Sequence, residues 1–432
     1  MRIAVAVDYG KIPNATSLDV VGRELFLELG KLMNKEKSFT IAALKYSNLG
    51  IGDFNSHYDC ISIPNMGGFR LPHERSLSCK NLSIGIAGID EVILGEKVYT
   101  KKSDWIKNKP FIETEVPKWK ENIDKLTFIH VPSLSEKNEM IKHLKIPADK
   151  IFVIPHGVNS SFYKPSDDRI KTRKNFLYKL LIPNNPYFLH VGETNWARKN
   201  VPNLLKAFSI AKIENIPHHL IIVGKYDEHI SNMAKKIPDV HVLGRVSNEI
   251  LLGLLQNSDC LLYPSLHEGF GLPLVEAMAC GTPSITSNVF SPPEVIADTG
   301  LLVDPYNVID ISEKIITLAK DEKLQKSLSE KSLARSKMFD WGIAAKDILN
   351  LIKEKSQIRD NFDFKSNYDI AAYRTLVTAC ELTPDFYFTV VQDLLKFDYS
   401  KIIKWALEYG IYDDKVSSFL IPFEKWLIEH DQ

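Results

Sequence analysis

The sequence predicts an α/β protein of two doubly wound, Rossmann-like parallel-sheet domains with a helical extension behind them. Three observations carry that expectation. Short apolar runs alternate with longer amphipathic stretches through most of the chain. Those runs are apolar on both faces, as strands are when helices cover both sides of a parallel sheet. The 432 residues also exceed what one ordinary hydrophobic core occupies.

The first half opens with an apolar strand, Ile3 to Val7, then a polar loop, Asp8 to Ser17, and a helical pattern from about Leu18 to Met33. Strand-like runs recur at Thr40–Leu44, Cys60–Ile63, Leu82–Ile89, Leu126–Val131 and Ile151–Ile154, with a helical stretch at Ser135–Leu144. Gly95 to Lys125 is less regular and reads as loops and short helices. It holds eight lysines against six acidic residues, with Trp105, Phe111 and Trp119 between them. Two readings of it stand: a solvated loop, or a Lys–Trp patch that makes peripheral contact with anionic lipid headgroups.

Beyond it the alternation is regular. Strands are expected at Tyr187–Val191, His219–Val223, Val240–Leu243, Cys260–Tyr263, Ser284–Thr286 and Leu301–Val303. Helical patterns fall at Val201–Ile213, Ile230–Lys236, Asn248–Gln256, Leu274–Ala279 and Pro293–Ala297, with longer ones from Val308 onward. The Lys- and Pro-punctuated stretch from Asn159 to Pro186 reads as a hinge. The implied division is a first domain over 1–165, a second over 166–340, a crossover helix over 341–356 and a helical extension over 357–432. In the extension, aromatics from Tyr373 to Trp426 recur at helical spacings. They suit helix packing, or a face that binds a partner or a second copy of the chain.

Composition excludes some functions. Lys+Arg and Asp+Glu are both 54, so no net field favours nucleic acid. Five scattered cysteines without a C-x-x-C pair suggest neither a disulfide framework nor a zinc site, and point to a reducing compartment. The N-terminal apolar run is broken by Asp8 too early for a signal peptide, and no run approaches the roughly 20 residues that span a bilayer. The expectation is a cytoplasmic protein, attached at most to a membrane surface.

The stretch His267 to Glu276 carries the most chemistry. It joins the end of an apolar strand, Cys260 to Pro264, to a helix body of small apolar residues, Ala277 to Cys280, through a Gly-Phe-Gly turn. Strand, glycine loop and helix N-terminus together aim backbone N–H groups and the positive end of a helix dipole at one point, which is an anion site. Pro273 suits the first helical position, and Glu276 would sit in the first turn. Without this context, Glu276 would merely complement the dipole and Glu268 would be a solvated loop residue.

The spacing of Glu268 and Glu276 resembles the E-x7-E signature of retaining, nucleotide-sugar-dependent glycosyltransferases of family 4, which have the GT-B architecture of two such domains facing across a cleft. Further pieces in order are Val191-Gly192-Glu193, Arg198-Lys199-Asn200, Ile222-Val223-Gly224, Val242 to Val246 and Gly300 to Pro305, with Lys150 to Val158 in the first domain. The resemblance covers about residues 1–355 and is strongest over Tyr187–Pro305. It implies that Arg198 and Lys199 neutralise the departing diphosphate. It implies that Glu268 and the amides of Gly269, Phe270, Gly271 and Leu272 hold sugar hydroxyls and phosphate. Glu276 would accept from the ribose hydroxyls, and the main chain at Arg245 and Val246 would face the base.

The implied reaction moves a hexose or hexosamine from a nucleoside-diphosphate sugar to a hydroxyl of a glycan or lipid-linked acceptor, with retention. No D-x-D triplet occurs, so the two basic residues would stand in for a metal, and no cofactor beyond the co-substrate is expected. Departures from the family pattern are also present. The loop after the first strand has Gly10 but no glycine pair, and Glu193 stands where a basic residue is common. No histidine occupies Ile86 to Glu91, where Asp90 would either orient the donor sugar or serve as a surface or capping carboxylate. His73 and His156 are the other candidates near loops. These departures keep open a different class of function, a catalytically weakened GT-B scaffold that binds a nucleotide sugar or a partner enzyme.

Overall fold

A computed structural model describes residues 1–7, 17–36, 38–45, 59–66, 80–166, 169–193, 197–225 and 228–356. The glycine-poor loop after the first strand, His73 and the extension over 357–432 lie outside the described residues.

The first domain runs β1 (Arg2–Val7), α1 (Ser17–Glu36), β2 (Thr40–Lys45), β3 (Cys60–Met66), β4 (Leu82–Ile86), α2 (Asp90–Leu94), α3 (Lys102–Asn122), β5 (Phe128–Val131), α4 (Leu134–Glu139) and β6 (Ile151–Val153). Its six strands lie in the order β2-β1-β3-β4-β5-β6, and every described pairing is parallel. Every residue of β4 and β5 is buried, which is why these strands read as apolar throughout.

The second domain runs α5 (Arg169–Lys179), β7 (Tyr187–Val191), α6 (Val201–Ile213), β8 (His219–Val223), α7 (Glu228–Ala234), β9 (Val240–Gly244), α8 (Asn248–Asn257), β10 (Cys260–Tyr263), α9 (Leu272–Ala279), β11 (Ser284–Ser287), α10 (Pro292–Ile296), β12 (Leu301–Val303), α11 (Val308–Lys320) and α12 (Glu322–Ser336). The strand order is β12-β11-β10-β7-β8-β9. The winding reverses between β10 and β7, so the loops leaving these two neighbours part in opposite directions and open the crevice where such sheets hold ligands.

α13 (Trp341–Lys355) then carries the chain back to the first domain. Its Ala344, Ala345, Ile348, Leu349 and Ile352 share one hydrophobic cluster with Leu25, Phe26 and Leu29 of α1, and Lys353 reaches Glu36 at 2.7 Å. Asp340 caps it by accepting from the Ile343 amide at 3.0 Å.

Three elements differ from the sequence reading. Gly95–Lys125 is not loops and short helices: most of it is α3, 21 residues long, continuous through Pro110 and Pro117. An interior proline costs a helix about 3 kcal/mol. Here Ile112, Glu115 and Trp119 are buried at helical spacing, and that docking outweighs the local preference. Trp119 is fully buried and Trp105 half-buried, so the tryptophans face the core while lysines of the helix face water, which takes the tryptophans from the lipid-docking reading. The expected hinge holds α5, anchored by Arg173 to Asp259 at 2.7 Å. β4 stops at Ile86 rather than Ile89, because Ala87 to Ile89 leave the sheet to pass against the second domain. Among the described residues, no helix is long and apolar enough to cross a membrane.

Replacing Trp119 with Ala should cost about 3–5 kcal/mol of stability, the usual toll of emptying a large aromatic site. Urea unfolding measures it, and a loss below about 1 kcal/mol would mean that α3 is not docked through this residue.

Candidate functional site

The loops that leave β7 and β10 meet at the switch point. After β10, Pro264 has no amide to offer a neighbouring strand, and the chain turns through Ser265 to Gly271 before α9. Gly271 caps α9 with φ +94°, a left-handed conformation open to glycine at little cost, and Leu274 donates to its carbonyl at 2.9 Å. The loop is tied on several sides. Thr286 donates to the Tyr263 carbonyl at 2.8 Å, Ser291 to the Glu268 carbonyl at 2.7 Å, and the Leu266 amide to the Arg198 carbonyl at 2.7 Å. α9 opens at Leu272, which places Pro273 second in the helix and Glu276 beyond its first turn.

After β7, Gly192 and Glu193 lead toward a 3-10 turn, Ala197–Lys199, which delivers the basic pair. Lys199 is 8% and Glu268 7% exposed, and the Lys199 ammonium lies 2.6 Å from a Glu268 carboxylate oxygen. Arg198 reaches the same oxygen at 3.2 Å and, on its other side, Asp90 of the first domain at 3.0 Å. Lys199 also donates to the Tyr263 hydroxyl and stands 4.6 Å over that ring's centre. Burial alone would raise the Glu268 carboxyl, but Lys199 and Arg198 overcome that and hold it down at about 2. Burial pulls Lys199 down to about 8 against the attraction of Glu268. Both are charged at neutral pH.

The first domain closes on this loop. A Cβ on Gly269 would lie 1.7 Å from the Ala87 carbonyl oxygen, so only glycine lets the two backbones approach. Ser133 donates to the Gly269 carbonyl at 2.7 Å, and Glu294 accepts from the Leu134 and Ser135 amides at 2.9 and 3.2 Å.

Glu268, Arg198 and Lys199 thus form one buried cluster. Glu276 stands apart on α9, where the Tyr163 hydroxyl donates to it and burial raises its carboxyl to about 7. The side chains of Phe270 and Leu272 are core: Phe270 meets His156 and Phe339 edge-on at 5.1 and 5.7 Å. Arg245 leaves β9 to pair with Glu193, so the acid found where a basic residue is common has a cation of its own. His156 is not a loop residue open to a ligand. It is buried between Phe270 and Trp341, and burial pushes its imidazole down to about 3. Asp90 is neither a mere cap nor a plain surface acid, since it pairs with Arg198 across the domain contact. Tyr263, Tyr163 and Ser133 escaped the sequence reading. Each acts through a partner far away in the chain, and nothing local in the sequence marks that partner.

Residues 173–335 match the family model for glycosyl transferases group 1. The O-antigen chain mannosyltransferase B of Escherichia coli is 30% identical over 54% of this chain, and the match spans 62% of that relative's length, less than two thirds. Sucrose-phosphate synthase from Thermosynechococcus elongatus superposes with a TM-score of 0.64 at 18% identity, over 82% of this chain and 98% of that one. Anabaena Alr3699/HepE in complex with UDP-glucose gives 0.62 at 15%, over 82% and 100%. At these identities the structural likeness shows the fold, GT-B: two facing parallel-sheet domains.

Gly269→Ala should lower stability by about 1–3 kcal/mol, because the added methyl meets backbone rather than a yielding side chain. An unchanged thermal midpoint would mean that the two loops do not meet in solution. Glu276 yields a pH dependence. Its carboxyl rises from 4.5 to about 7 on folding, so the folded chain keeps a proton that the unfolded chain loses. Stability therefore falls as pH rises through that window and levels off above it. Glu276→Gln, which cannot ionise, should gain on the wild type between pH 4.5 and 7 and show no advantage below it; calorimetry at both ends checks this.

Proposed function

We propose that the chain is a glycosyltransferase that moves a hexose or hexosamine from a nucleoside-diphosphate sugar to a hydroxyl of a glycan or lipid-linked acceptor. Transfer proceeds with retention and without a metal. One observation carries the reading: the buried Glu268–Lys199–Arg198 cluster stands at the switch point of the second sheet, inside the span that matches the group 1 model. The mannosyl transfer named for the Escherichia coli relative supports a hexose as the group moved, and its O-antigen chain supports a glycan acceptor. The UDP-glucose bound to the Anabaena protein supports a nucleotide sugar as donor.

In this reading the diphosphate lies against Arg198, Lys199 and the amides of Gly269 to Leu272 at the start of α9. The sugar–phosphate bond breaks as those cations take up the charge developing on the leaving phosphate. The acceptor hydroxyl attacks from the same face, and the leaving phosphate removes its proton, so no separate general base is required. Glu268 holds the two cations in place and faces the donor sugar. Glu276 accepts from the ribose hydroxyls, and the backbone at Arg245 and Val246 meets the base. Both cations are already balanced by Glu268 and Asp90. That balance favours a second reading, a scaffold that binds a nucleotide sugar or a partner enzyme without turning it over.

Thermal unfolding with UDP, GDP, ADP and their sugar conjugates, in the presence of a chelator, separates the readings. A nucleotide at about 100 times its dissociation constant adds roughly 2.7 kcal/mol, and the shift should vanish in Glu276→Ala. With the donor so identified, Lys199→Ala should lower kcat by about 10²–10³-fold, the scale of a lost transition-state donor. Nucleotide binding with no turnover for any acceptor would leave the scaffold.

A further inference from the structure

Glu136 lies behind the cluster and takes no part in the chemistry proposed above. It is 1% exposed, on α4, and its amide donates to the Ser133 hydroxyl at 3.0 Å; that hydroxyl in turn donates to the Gly269 carbonyl. Ser133 and Glu136 have the spacing of a capping box, in which the glutamate would turn back to the amide of the capping serine. Here it does not. Its carboxyl faces the Ile89 amide at the entrance to α2, yet neither oxygen has a hydrogen-bond partner among the described residues.

The charged groups that face it are carboxylates: Asp90 on α2 and Glu139 on its own helix. Glu139 has the Lys142 ammonium at 3.9 Å and the His143 ring at 3.0 Å, and Asp90 pairs with Arg198 at 3.0 Å. A carboxylate buried among other carboxylates without a counter-ion is strongly disfavoured, so the neutral acid is retained. Burial, then Asp90, then Glu139 raise the group to about 8. Arg198 and Lys199 stand against Asp90 and Glu268, and an ionised Glu136 would add an uncompensated negative charge where a diphosphate must arrive.

We propose that Glu136 is a positioning residue for donor binding, a buried carboxylic acid kept neutral so that Asp90 alone presents first-domain negative charge to Arg198, beside Glu268 of the second domain, and no further charge opposes an incoming diphosphate. This rests on the donor site proposed above. Loss of the Glu136 proton makes affinity for the diphosphate fall at alkaline pH, in addition to any loss from Lys199.

The test uses the full chain in two arms. An infrared titration of wild type, E136Q and D90N follows the C=O stretch of a protonated carboxyl. The wild-type minus E136Q difference should show such a band at neutral pH, titrating near 8 and separate from the Glu276 band common to both proteins, and its midpoint should be lower in D90N. Calorimetric titration with UDP and GDP, from neutral to alkaline pH, forms the second arm. E136Q should bind within about twofold of wild type at neutral pH, because glutamine reproduces the neutral acid. Above pH 8 the wild-type dissociation constant should rise about tenfold more per pH unit than that of E136Q. A missing band, a midpoint unmoved in D90N, or equal pH slopes would each overturn the proposal. Failure of the donor reading looks different: neither protein binds any nucleoside diphosphate at any pH while the band persists, and the positioning role falls with it.

Discussion

Four charges at the contact of two domains, two of them buried and two half-buried, constrain everything around them. Asp90, Arg198, Glu268 and Lys199 form a continuous chain of ion pairs, with Asp90 on one sheet's side and the other three on the opposite side. A buried ion pair contributes little to stability but is costly to break, because each partner left behind is an uncompensated charge. The domains therefore have to meet at one separation. The close approach of Gly269 to Ala87 and the hydrogen bond from Ser133 set that separation to within the reach of an arginine. α13 reinforces it from the far side. It starts where the exit of the first domain passes, since a Cβ on Gly157 would lie 2.2 Å from the Trp341 amide, and it ends against α1.

Much of this was legible in the sequence, for a physical reason. Strands covered on both faces must be apolar throughout, so ten of the twelve fall within a few residues of the apolar runs that mark them. Two depart from those marks for separate reasons: β3 continues to Met66 through a register shift against β4, while β4 itself ends early at Ile86. The glycine loop before α9 was legible because close backbone approach and positive φ demand glycine at fixed places. α3 was not legible. Its two prolines and many lysines argue locally for loops, and burial of Trp119 and Ile112 against the sheet decides the matter. That term depends on residues far along the chain.

The site divides in the same way. Glu268, Arg198 and Lys199 could be named because each lies in a short motif. Their mutual geometry could not, nor could the part played by Asp90, which lies 108 positions before Arg198 and shares no pattern with it. Glu276 was found and its environment missed. Tyr163, the hydroxyl that donates to it, comes from the segment linking the domains, where no local motif marks it.

The first-domain side departs most from the resemblance, and the departures are connected. Ile89, within the segment Ile86 to Glu91 where the resemblance expects a histidine, is buried at 1% exposure. The polar work at that corner passes to its neighbours: its amide faces Glu136 and the next residue, Asp90, holds Arg198. A histidine there would bring donors of its own and could carry a charge near neutral pH. An aspartate brings a fixed negative charge, which is tolerable beside the donor site while Arg198 answers it and the acid behind it stays neutral. Asp90 beside Arg198 and the buried Glu136 behind it are thus parts of one electrostatic arrangement, in which the first domain meets Arg198 with one charge.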